Sequence, residues 1–108
     1  SKTRMKWMNR VNRKCAAIHL GGPTFRWVHL CLNAIKALPK IIPRVETPVL
    51  ILQAEKEKIV DNKNLEKLTA LFPHAESMLV PQAKHEILFE KDNVRKAVFE
   101  RVNQFLHS

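Results

Sequence analysis

The chain has 108 residues, 45% apolar and 6% aromatic with no tyrosine, which is enough for one small domain and sets aside wholesale disorder. No apolar run approaches the roughly 18 to 20 residues that cross a bilayer as a helix. The formal charge of +9 is one-sided: residues 1–45 carry ten Lys and Arg and no acid, whereas 46–108 carry nine Lys and Arg against ten Asp and Glu.

Residues 3–14 are basic, with scattered Met5, Trp7, Met8 and Val11, so a helix there is only weakly marked. Gly21-Gly22-Pro23 breaks the chain, and Thr24 can cap a helix that starts after it. Trp27, Val28, Cys31, Leu32, Ile35 and Leu38 then recur at helical spacing, and Pro39 and Pro43 are expected to end that helix. Cys15 and Cys31 match no CxxC or metal-ligand spacing and read as reduced thiols, which fits a cytoplasmic setting.

Residues 47–54 form a continuous apolar run suited to a strand of a parallel sheet. The polar turn Glu55-Lys56-Glu57-Lys58 comes next. Asp61 and Asn62 read as caps of a helix with Leu65, Leu68, Leu71 and Phe72 on its buried stripe, closed by Pro73-His74. Residues 77–80 suit a second strand, stopped by Pro81. A loop through His85 leads to a last helix, capped near Asp92, with Val94, Ala97, Val98, Val102 and Phe105 on one side. Strand-helix-strand order implies an α/β fold with parallel pairing and a right-handed crossover. Two parallel strands do not make an independently stable sheet, so further strands are expected to complete it.

Reactive groups of such sheets gather beyond the carboxyl ends of the strands. Glu55, Glu57 and Asp61 stand there after the first strand, and His85 after the second. An acid and a histidine on adjacent loops can meet, the acid holding one imidazole nitrogen while the other takes a proton from a nucleophile.

Four segments carry a resemblance. Gly21-Gly22-Pro23-Thr24-Phe25-Arg26-Trp27-Val28, Thr47-Pro48-Val49-Leu50-Ile51-Leu52-Gln53-Ala54-Glu55, Val60-Asp61-Asn62 and His85-Glu86-Ile87-Leu88-Phe89-Glu90-Lys91-Asp92 resemble the bacterial inner-membrane lysophospholipases, in the monoglyceride-lipase-like branch of the α/β hydrolases. It implies hydrolysis of lysophospholipid or monoacylglycerol esters by a Ser-His-acid triad, with no metal or organic cofactor. It also implies that 1–43 is the end of a helical cap and 44–108 the carboxy-terminal part of an incomplete α/β-hydrolase core. His85 is then the general base. In related lipases the acid falls four residues beyond the Gln that ends the strand, at Glu57 here; Asp61 is its competitor. The nucleophile is expected upstream of this chain, because Ser1, Ser77 and Ser108 are the only serines and none sits in G-x-S-x-G. The upstream half of the same protein is therefore an expected partner, and this chain alone is expected to be inactive.

Each feature also has a plainer reading. Asp61 is at a helix start, where Asp caps free N–H groups. Glu57 reads as an exposed charge of a polar turn, and Trp27 as a packing residue rather than the wall of an acyl pocket. His85-Glu86 fails the H-E-x-x-H zinc motif, since Phe89 stands where the second His belongs. His19, His29, His74 and His107 read as surface or packing residues. Residues 2–14 suit an anionic membrane surface, giving a cytoplasmic protein peripheral to the inner membrane. The alternative is a basic nucleic-acid-binding or protein-interaction module without catalysis. No nucleic acid is expected as a partner, since stacking platforms, zinc spacing and RRM signatures are all absent.

Overall fold

The apolar run and its partner form strands β1 (Val49–Ala54) and β2 (Ala75–Val80), seen in a computed structural model that describes residues 1–18 and 20–108. His19 lies outside the described residues. The strands are parallel, in register from Val49 opposite Ala75 to Ala54 opposite Val80. The first strand starts two residues later than expected because Pro48 has no N–H to place in the ladder. The second starts two residues earlier, since Ala75 and Glu76 pair with Val49 and Leu50. Between them, helix α3 (Asn62–Thr69) is capped by Asp61, whose side chain accepts the Lys63 N–H. It is shorter than its apolar stripe suggests. Leu71 and Phe72 lie beyond it in a tight turn, bonded back to Leu68 and Thr69 over three residues rather than four.

Helix α4 (Asp92–Leu106) covers the strand ends. Its N-cap is Lys91, not Asp92; Asp92 occupies the first turn, where a carboxylate is favoured by the helix dipole. The buried cluster is Ala54, Val80, Ala83 and Val98, with Leu52, Ile87, Val94 and Val102 packed against it. Ala54 and Val80 are the last residues of their strands, so the best-packed part of this unit lies directly under the loops that carry Glu57 and His85. Arg101 of α4 also bonds Glu76 of β2.

The chain divides into two compact units, Ser1–Ala37 and Leu38–Ser108. The first contains α1 (Lys2–Lys14), a short 3₁₀ turn at Ala16–Ile18, and most of α2 (Phe25–Ile41). Weak apolar periodicity did not prevent α1, because Ser1 caps it by accepting the Arg4 N–H, and Arg13 and Lys14 in its last turn complement the dipole. At 100° per residue, Lys2, Lys6, Arg10, Arg13 and Lys14 share one side, with Trp7, Met8 and Val11 beyond it. Thr24 does start α2, its Oγ1 accepting the Trp27 N–H at 3.2 Å.

Pro39 does not end α2; the helix runs through it to Ile41, and Pro43 sits in a 3₁₀ turn at Ile42–Arg44. The φ of proline suits a helix. Its cost is the missing bond to the carbonyl four residues back, with some crowding there, and the helix continues for only two more residues. Trp27 is exposed, as are Phe25 and Leu30. Cys15 and Cys31 are free thiols. Among the described residues no helix is long and apolar enough to cross a membrane.

Candidate active site

The turn after β1 is organised by one carboxylate. Oε1 of Glu57 accepts backbone N–H groups from Lys58 and Ile59, both at 2.7 Å, and more weakly from Val60 at 3.4 Å. Its other oxygen, Oε2, lies 2.7 Å from Nδ1 of His85, which stands on the loop after β2. The two sequence-predicted residues are thus brought together across 28 positions of chain. The Ile59 N–H does most to hold the Glu57 carboxyl down, to about 2 from an ordinary 4.5; the His85, Lys58 and Val60 bonds add to this, while desolvation opposes it. The Glu57 side chain keeps 5% of its exposure and that of His85 40%. The polar-turn reading of Glu57 as an exposed charge therefore does not describe it.

An ionised carboxylate can only accept hydrogen bonds. Nδ1 of His85 must therefore donate to Glu57, and in the neutral ring Nε2 carries the lone pair. A partly open imidazole with one nitrogen fixed by a largely covered carboxylate can act as a general base through the other. The longer arm of Glu reaches the ring while its second oxygen still ties down the turn.

Asp61 is placed differently. Its Oδ1 accepts the Lys63 N–H at 2.9 Å and its carbonyl accepts the Leu65 N–H, the ordinary duties of a helix cap. Next to it, Asn62 Nδ2 donates to the Ala54 carbonyl at 2.9 Å, tying the start of α3 to the end of β1.

Sequence reasoning missed what holds the histidine loop. Glu55 Oε2 accepts the Gln82 N–H at 2.6 Å, the Lys56 N–H reaches the Ala83 carbonyl at 2.8 Å, and Glu90 Oε1 accepts the Lys84 N–H at 3.0 Å. Gln82 has φ 59, the one non-glycine residue with positive φ among those described. Nothing in a single sequence marks it, since Gln is not a residue that turns favour for this conformation.

Neither serine of the unit that carries His85 and Glu57 is bonded to them. Ser1 caps α1, Ser77 sits opposite Ile51 in mid-strand, and Ser108 bonds the Phe105 carbonyl. His29 pairs with Asn33, and His107 with the Asn103 carbonyl.

A parallel strand-helix-strand unit with an acid and a histidine paired beyond the strand ends is the arrangement of the α/β-hydrolase class. The family described as the alpha/beta hydrolase fold matches residues 1–92, and the chain belongs to that family. In particular, it is 76% identical over 106 residues, 98% of its length, to a Haemophilus influenzae protein named "Probable lysophospholipase L2". It is 33% identical over 97 residues, 83% of its length, to the lysophospholipase L2 of Escherichia coli K12. The matches take in 34% and 28% of those two proteins, so the chain spans about a third of the curated relatives it matches. No solved structure matches it significantly.

Proposed function

We propose that this chain is the carboxy-terminal part of a lysophospholipid or monoacylglycerol ester hydrolase, supplying the base and acid of a Ser-His-acid triad. The single observation that carries the reading is the 2.7 Å bond between His85 Nδ1 and Glu57 Oε2. Nε2 of His85 takes the hydroxyl proton of a serine in the upstream half as its oxygen attacks the ester carbonyl. The proton then passes to the departing alcohol, leaving an acyl-serine. Water, deprotonated by the same nitrogen, releases the fatty acid and restores the serine. Glu57 keeps the ring in the required tautomer and stabilises the imidazolium formed at each step. Asp61 serves as the cap of α3.

The relatives' names support a lipid ester as substrate, and a basic α1 suits the anionic surface where such lipids reside. The protein then works at the cytoplasmic face of a membrane.

The test is a chimera in which this chain replaces the matched 106 residues of its 76% identical relative. His85→Ala should lower lysophospholipid hydrolysis by about 10⁴-fold or more, and Glu57→Gln by about 10³- to 10⁴-fold. Rates equal to the parent chimera in His85→Ala would sink the reading.

A further inference from the structure

A general base works only if its ring is presented in one place, and His85 sits at the end of a loop that leaves β2 through an unfavourable backbone conformation. Gln82 has φ 59, where a side chain is strained against its own backbone. Such a residue persists only if its surroundings over-determine it. Its N–H points at Glu55, whose Oε2 accepts it at 2.6 Å from across the strand pair. The next residue, Ala83, is fully buried in the cluster over α4, and its carbonyl accepts the Lys56 N–H at 2.8 Å. The turn after β1 therefore grips the loop after β2 at two consecutive residues, and one of those grips is a side chain.

We propose that Glu55 is the positioning residue of His85: its carboxylate holds Gln82 in the left-handed conformation and so fixes the route of the chain to the imidazole. Glu57 meets the ring and Glu55 meets the loop beneath it, so two acids two residues apart on one turn divide the work. Glu55 touches no reacting atom. The inference rests on the triad reading above and adds a residue to it.

The same chimera tests it. Glu55→Ala frees Gln82 to leave its strained conformation, and kcat for lysophospholipid hydrolysis should fall about tenfold, with KM within about twofold, the size of loss that a missing charged hydrogen bond gives. Glu55→Gln, which retains an acceptor oxygen of the same reach, should keep kcat within about threefold of the parent. Gln82→Gly placed on Glu55→Ala should restore most of the lost kcat, because glycine adopts positive φ without strain. A residue needed only for general stability would not be rescued this way. If Glu55→Ala does not fold, Glu55→Met alone and with Gln82→Gly reads the same bond, with loss expected in the first and recovery in the second. Parental kcat in Glu55→Ala, or a loss that Gln82→Gly fails to recover, overturns the inference. His85→Ala run alongside separates the two readings. If it is inactive while Glu55→Ala is parental, only this inference fails; if it is as active as the parent, the triad reading fails too.

Discussion

Glu57 shows how much one carboxylate can be asked to do. It closes its own turn through three backbone donors and fixes an imidazole from the next loop, and these bonds stabilise the charged form. The carboxyl is held at about 2 in the folded protein against 4.5 ordinarily. The unfolded chain therefore takes up the proton first as pH falls, which destabilises the fold in acid. The contribution of the ionised group to stability is complete above about 4.5 and is lost as pH falls through about 2. Urea unfolding of the parent chimera and its Glu57→Gln variant should show a stability gap at pH values above about 5 that closes between those two values. A gap that stays constant down to about pH 2 would show that the charge contributes nothing.

Among the elements, helix ends and helix faces carry the distinctions. Asp61 and Glu57 are four residues apart and chemically alike, yet one caps α3 and the other reaches His85. Asp61→Ala should cost about 1 kcal/mol in unfolding free energy, the usual value of an N-cap, while kcat changes less than about threefold. A loss of kcat as large as that of Glu57→Gln would reverse the assignment. Helix α1 carries Lys2, Lys6, Arg10, Arg13 and Lys14 on one side, with Trp7 and Met5 exposed nearby. Each Lys or Arg near an anionic bilayer adds about 1 kcal/mol of attraction that salt screens. The chimera should therefore bind phosphatidylserine vesicles in a salt-dependent way. Replacing Arg10, Arg13 and Lys14 by Gln should remove most of that dependence, and unchanged dependence in sedimentation assays would end the membrane reading.

For the molecule as a whole, the sheet governs. Two parallel strands leave an unpaired edge on each side, and among the described residues the buried apolar side chains are Ile42, Ala54, Val80, Ala83 and Val98. That core is dense only at the carboxyl ends of the strands, where Val98 of α4 meets Ala54, Val80 and Ala83. The site loops are thus anchored on the firmest part of the unit. The rest of the sheet, with Leu79 exposed, offers open edges that further strands would pair with and apolar surface of the kind that helices cover in parallel sheets.

Residue order alone was enough for the α/β arrangement, the parallel strands, the cap at Asp61 and the two loops, one acidic and one bearing His85, that meet beyond the strand ends. Those come from local patterns: an unalternating apolar run, a polar turn, a capping residue, and an acid-then-histidine order one strand-helix unit apart. Glu57 and Asp61 stayed rivals, because both are acids on the same loop and the path of the backbone settles which carboxylate faces the ring. The Glu55 bond to Gln82 and the left-handed turn there were invisible, since a hydrogen bond across 27 residues and a backbone dihedral leave no trace in residue type. Helix α2 was expected to end at Pro39 and Pro43; it runs through the first, where the loss of one hydrogen bond did not outweigh the rest of the helix, and stops before the second. Which carboxylate lies against His85 and what holds the histidine loop needed the folded chain, because each depends on two distant segments arriving at the same place.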